Sequence, residues 1–290
     1  VLTAGVWDDN KNFDLFLKYR NDHQDITSRL LLTESEHRQA RGLHGQLNPH
    51  QKLDVSLVID TTGSMGDEIQ YLQSEFVALS TRISQLYPGS EQHWSLVLYK
   101  DKQDDYVVKW FDFRGDTNEF KSKLSQASAG GGGDYPESSA EALDAATRLS
   151  WRDDANVAKL LFWVADAPLQ AGTENLQATA IRRAASRGVH MYPVASSGVD
   201  ELTELSMRGA AQVKGGRYVF LTDDSGVGEE HKVPSTPCFF VTKLNDAILR
   251  MVDIEMTGTY REPTSSEVLR KGGDPQSGVC TIDSVPYQIY

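Results

Sequence analysis

A chain of 290 residues, 39% of them apolar and spread along its length, has enough material to bury a core, which excludes a disordered or fibrous protein. Its net charge of -12 argues against a binder of nucleic-acid phosphates and suits the capture of cations. No run approaches the roughly 20 apolar residues that cross a bilayer, so no direct membrane insertion is expected.

Taken in order, residues 1 to 51 hold one helical candidate, NFDLFLKYRND, and then a polar stretch in which His37 and His44 read as surface residues. The chain opens on Val1 rather than Met, as a processed or excised chain would. LDVSLVID, residues 53 to 60, is the Val/Ile/Leu-rich run of a buried parallel strand and ends in Asp60. Ile69, Leu72, Phe76, Leu79, Ile83 and Leu86 then recur at spacings of three and four, which predicts a helix stopped by Pro88 and Gly89. WSLVLYK (94 to 100) and YVVKWFDF (106 to 113) flank the polar turn DKQDD and predict a hairpin at a sheet edge.

AGGGGDYPE, residues 129 to 137, leaves the backbone unusually free, and Pro136 marks the expected first turn of a helix carrying Ala140, Leu143, Ala146 and Leu149. AKLLFWVAD (158 to 166) matches the first strand in character and also ends in an Asp. A helix from about Glu174 to Arg187 closes at Gly188. VHMYPVA, a helix near 199 to 208, GRYVFL and a helix near 240 to 254 complete the alternation. Strands alternating with helices predict an α/β fold, doubly wound, with a mostly parallel central sheet flanked by helices. The expected domain covers 52 to 255, with an N-terminal extension of 1 to 51 packed on it and a C-terminal tail of 256 to 290.

Asp60, Thr62 and Ser64 occupy positions one, three and five of DTTGS, in a loop that an open α/β sheet places at its carboxyl edge, where ligands bind. A carboxylate with two hydroxyls in one tight turn offers only hard oxygen donors, which suit Mg²⁺ or Mn²⁺ over Zn²⁺. The motif resembles the metal-ion-dependent adhesion site of von Willebrand factor type A domains, whose first loop reads Asp-x-Ser-x-Ser, with Thr62 here in place of the middle Ser. VIDTTGSMGDEI, the hairpin with YKD, GGGGDYPE and WVADAP are similar in order and context to the branch that includes hemicentins and bacterial envelope proteins. The resemblance covers residues 52 to 255 and implies a Rossmann-like fold in which Asp60, Thr62, Ser64 and Asp166 hold Mg²⁺ (or Mn²⁺ or Ca²⁺). Where the family often has a Thr in the middle loop, this chain offers Asp134 and Glu137. Asp134 is preferred because the glycines free it to swing inward, and direct or water-mediated contact stays open.

Each piece also has a plainer role: an Asp at a strand end caps helices, Thr62 and Ser64 can do the same, and Asp67 and Glu68 complement the helix N-terminus. Enzyme readings fail on particular residues. Thr62 stands where an Asp-x-Asp phosphotransferase needs its second carboxylate, the glycine run lacks a P-loop ending, and Ser64 lacks the Gly two residues before it that a nucleophile elbow needs. The seven His show no zinc spacing, and His190, in an apolar strand, reads as a satisfied core residue.

The resemblance therefore implies a non-enzymatic adhesion module that takes a partner protein's Asp or Glu carboxylate through an open metal position. A cytoplasmic subunit docking onto an ATPase or metal-chelatase is the alternative, and a metal-dependent phosphatase the third reading. The segment LTAGVWDDNKNFDLFLKY is similar to envelope proteins and points to a periplasmic, cell-surface or secreted setting. Cys238 and Cys280, the only cysteines, are too few for a disulfide-built scaffold or a Cys₄ zinc site; they are either free thiols or one disulfide tying the tail to the domain, with pairing expected.

Overall fold

The computed structural model describes residues 3–5, 13–41, 48–133, 135–196, 198–222, 238–276 and 279–288. His44 and Asp134 lie outside the described residues. The first strand of the predicted alternation is Lys52–Asp60, preceded in the chain by β1, Thr3–Gly5, so it is β2 here. Every residue of β2 after Lys52 is buried, as a strand covered on both faces requires. Leu53, Val55, Leu57 and Ile59 pack on one side and Val58 on the other, following the period of two. Each such Leu, Val or Ile withdrawn from water contributes roughly 1.5–3 kcal/mol before entropy is counted.

The helix after DTTGS runs Gly66–Leu86, and its apolar stripe is buried from Ile69 to Ile83. Leu86, expected on the same stripe, is the last residue of the helix and is 56% exposed. Preceded by α1, Phe13–Asp22, α2, Gln24–Leu30, and α3, Glu34–Arg41, this helix is α4. The predicted hairpin is β3, Glu91–Tyr99, with β4, Val108–Arg114, antiparallel at the sheet edge. Next come α5, Thr117–Leu124, and α6, Ser139–Arg148, which starts three residues after Pro136 rather than at it. β5, Val157–Ala165, α7, Glu174–Ser186, β6, His190–Ala195, α8, Glu201–Lys214, and β7, Val219–Thr222, follow. α8 continues six residues past its expected end and stops at Gly215, whose φ of 82° only glycine adopts easily.

Residues 240–243, expected to open a helix, belong to β8, Phe239–Lys243, and α9 begins at Leu244 and ends at Thr257. The aromatic and β-branched run FFVT suits a strand, and β8 finds partners in β1 and in β9, Arg270–Gly272. The main sheet has the order β4-β3-β2-β5-β6-β7-β1-β8-β9. β3, β2, β5, β6 and β7 are parallel, with α4, α5 and α9 on one face and α6, α7 and α8 on the other. The fold is α/β, and its strand order reverses at β2, the crevice where such sheets bind ligands.

Both extensions feed the sheet: β1 lies between β7 and β8, and β9 closes the far edge. The N-terminal helices lie against α7 and α8, held by Arg29–Glu174 at 2.7 Å and Arg182–Glu36 at 2.6 Å. Here the expectation for His37 is corrected. It is buried, its ring 4.7 Å from that of Phe16, and burial pushes its pKa down to about 3. Among the described side chains of α3, His37 and Ala40, three residues apart, are the buried ones, a stripe too thin to stand out in a polar sequence. Cys238 and Cys280 are bonded, joining the start of β8 to a small sheet of β10, Pro275–Gln276, β11, Val279–Ile282, and β12, Val285–Gln288. Closing this 42-residue separation stabilises the fold by about 4 kcal/mol on the chain-entropy account.

Candidate functional site

β2 and β5 are adjacent and in register, Ile59 beside Val164, so Asp60 at the end of one and Asp166 just past the other meet at the carboxyl edge. The DTTGS turn is built around Asp60: its Oδ1 accepts from the Thr62 backbone N–H at 2.9 Å and from Thr62 Oγ1 at 2.7 Å. Thr62 Oγ1 lies 3.4 Å from Ser64 Oγ, and Ser64 in turn donates to Asp166 Oδ2. Asp60, Thr62, Ser64 and Asp166 therefore form one continuous chain of contacts. Neither Thr62 nor Met65 caps the following helical turns through its side chain, so the hydroxyl of Thr62 is directed at the carboxylate instead.

Glu137 joins this group. Its backbone is fixed by a donation to Pro168 O at 2.8 Å and by acceptance from Gln170 N at 3.2 Å, a short parallel bridge to the segment after β5. The resulting cleft, about 400 Å³, is lined by Thr62, Ser64, Glu137 and Asp166 together with Tyr135 and a wall of glycines. Tyr135, 50% exposed, forms part of the rim and donates its hydroxyl to Gly198 O at 2.5 Å.

The electrostatics are one-sided. Burial, and then the charge of Asp166, push Asp60 up to about 7. Burial, and then Asp60, Asp101 and Asp166, push Glu137 up to about 9. Asp166 is raised by burial and by Glu68, against the hydrogen bond from Ser64. Glu68, expected only to complement the helix N-terminus, is buried and adds to the negative field, whereas Asp67 is exposed. Among the described residues, Asp60 Oδ2, Asp166 Oδ1 and Glu137 Oε2 are buried without a hydrogen-bond donor, and no Lys or Arg lines the cleft. Buried carboxylate oxygens left in this way cost several kcal/mol unless a cation or proton compensates them.

The donor set fits a hard divalent ion, since every polar side chain lining the cleft presents oxygen. Among the described residues no three His, Cys, Asp or Glu side chains form a metal-holding group by themselves. Hydroxyls of Thr62 and Ser64, and water, would have to share the coordination, as small divalent ions readily allow.

Sequence reasoning found the turn between β3 and β4 but missed its contacts with the glycine segment and with Gln170. Asp104 Oδ2 accepts from Gly132 N at 2.9 Å, and Gln170 Nε2 donates to both Asp101 Oδ1 at 2.7 Å and Pro136 O at 2.6 Å. DKQDD was legible as a polar turn, and only its acidic content hinted at more. His190 is satisfied as expected, its Nδ1 2.6 Å from Glu255 Oε1.

A family model described as von Willebrand factor A domain matches residues 54–226. The alpha-protein kinase vwkA of Dictyostelium discoideum is 29% identical over 123 residues, 42% of this chain and 19% of that protein. The chain thus spans about a fifth of that relative's length. The crystal structure of the pilus adhesin SpaC from Lactobacillus rhamnosus GG superposes with a TM-score of 0.47 at 11% identity, over 60% of this chain and 29% of that one.

Proposed function

The chain belongs to the von Willebrand factor A domain family, and we propose that it is a cation-dependent protein-binding module rather than an enzyme. Asp60, Thr62, Ser64 and Asp166 would hold Mg²⁺, or Mn²⁺ or Ca²⁺ in its place, with Glu137 or Asp134 completing the protein's share. The ion supplies compensating charge and an open position for a carboxylate of a partner protein. One observation carries this reading: Asp166 Oδ1 and Glu137 Oε2 in the cleft lining, and Asp60 Oδ2 behind Thr62, are buried without a donor, beside the hydroxyls of Thr62 and Ser64, and among the described residues no cationic side chain lines the cleft. Such a cluster opposes folding on its own and is offset by an ion bound where the charges meet.

The non-enzymatic reading is favoured by the same lining, in which, among the described residues, no His or Cys stands beside the Ser64 hydroxyl as a base or nucleophile. The Cys238–Cys280 bond favours an oxidising setting, periplasmic, cell-surface or secreted, over a cytoplasmic assembly subunit. Among the described residues no helix is long and apolar enough to cross a membrane.

An array of peptides that each present one Asp or Glu, paired with Asn or Gln counterparts, tests partner capture. Retention of carboxylate peptides in Mg²⁺, lost with chelator and absent for the amides, is the expected result. Equal retention in chelator would refute it.

A further inference from the structure

Resting on the cation-site reading above, we propose that Asp104 is a positioning residue: it clamps the glycine run 130–133 so that Thr62 and Glu137 face the cleft together. The run is laced on two sides. Toward DTTGS, Gly130 N donates to Thr61 O at 3.1 Å and Gly63 N donates to Gly131 O at 3.1 Å. Toward the β3–β4 turn, Gly132 N donates to Asp104 Oδ2 at 2.9 Å. The same oxygen accepts from Asp101 N at 3.1 Å, so one carboxylate both closes its own turn and holds the glycine segment.

The fit is close enough to dictate glycine. Gly131 and Gly132 have φ of 81° and 82°, and a Cβ on Gly131 would sit 2.1 Å from Asp104 Oδ1. On the opposite side a Cβ on Gly132 would lie 3.2 Å from Thr62 Cβ and 3.4 Å from Glu137 Oε1. The segment is thus a thin spacer between Asp104 and two cleft residues, and its place is their place. A second strut reinforces the geometry from the same turn, since Gln170 ties Asp101 to Pro136, the residue before Glu137. Without Asp104 the Gly132 N–H turns to solvent and the Gly132–Gly133 half of the run, beyond the bonds at Gly130 and Gly131, regains its freedom, which loosens the wall against which Thr62 is packed.

The test is a Mn²⁺ titration of the full chain, with free ion read by electron paramagnetic resonance and folding checked by circular dichroism. Asp104→Ala should weaken Mn²⁺ binding about 10-fold or more, the usual loss when a residue that orients metal ligands is removed. Asp104→Asn keeps an acceptor oxygen and should bind nearly as the parent does; Gln103→Ala, on the same turn and exposed, should do the same. If Asp104→Ala does not fold, Asp104→Ser, too short to reach Gly132, replaces it with the same expectation. Parent-like binding by Asp104→Ala or Asp104→Ser while Asp60→Ala loses the ion would overturn the proposal. Loss in Asp104→Asn equal to that in Asp104→Ala would also overturn it, because charge and not placement would then matter. Retention of Mn²⁺ by Asp60→Ala would instead bring down the cation-site reading itself.

Discussion

Thr62 shows how one side chain serves two contacts at once. Its hydroxyl donates to Asp60 Oδ1 at 2.7 Å and stands 3.4 Å from Ser64 Oγ, while its methyl side faces the glycine run. Thr62→Ser keeps the donor and loses only a methyl, so Mg²⁺ affinity should stay close to that of the parent. Thr62→Val keeps the shape and removes the oxygen, leaving Asp60 Oδ1 with the Thr62 N–H alone. Its affinity should fall about 10-fold or more, since a hydrogen bond to a charged group is worth roughly 1.5–3 kcal/mol. Calorimetry on both variants checks this, and a Thr62→Val protein that binds Mg²⁺ as Thr62→Ser does would contradict the role given to the hydroxyl.

Among the elements, the N-terminal helices depend on two groups that respond to acid. Glu36 is held down to about 2, first by the hydrogen bond from Arg182, and burial holds His37 down to about 3. Both pKa values are lower in the folded state than in the unfolded one, so both contributions are present in full above the unfolded pKa and are lost as pH falls toward the folded value. For His37 the loss begins near pH 6.5 and continues toward 3, at up to about 1.4 kcal/mol per pH unit. For Glu36 it runs from about 4.5 to 2, and the pair's exposure limits its worth to roughly 0.5–1 kcal/mol. Hydrogen exchange at pH 5 against pH 7.5 should show α1–α3 opening before β2 and β5, and His37→Phe should remove most of the difference. Uniform exchange across the chain at both pH values would contradict the separate acid response.

These same helices mark a limit of what the sequence discloses. α4 and β2 announce themselves because long apolar periods survive in them, from Ile69 to Ile83 and from Leu53 to Ile59. α2 and α3 bury little beyond Leu30, His37 and Ala40 and offer no such period. β8 was absorbed into the helix that follows it because its five residues are too few to establish a period of two against a strong helical neighbour.

For the whole molecule, the sheet order decides where chemistry can occur. Reversal at β2 opens the crevice, and parallel pairing of β2 with β5 brings Asp60 and Asp166 together across 106 positions of sequence. DTTGS and the two strand-terminal Asp residues were legible because each sits at the end of a conspicuous apolar run. The burial of Glu68 and Glu137, and the hold of Asp104 on Gly132, depend on contacts between distant loops that no local pattern encodes. The cleft is therefore a property of the assembled sheet, and on the proposed reading its uncompensated charge is what a bound cation would offset. Binding of an ion at 100 times its dissociation constant would return about 2.7 kcal/mol to the folded state.

The most direct measurement is a calorimetric Mg²⁺ titration of the parent beside Asp60→Asn, a variant that keeps an oxygen for Thr62 but removes the central charge. The parent should bind one Mg²⁺ per chain and melt at a higher temperature with the ion than in chelator, while Asp60→Asn should show neither binding nor the shift and remain folded. A folded Asp60→Asn protein that takes up Mg²⁺ as the parent does, or a parent that takes up none, would contradict the account.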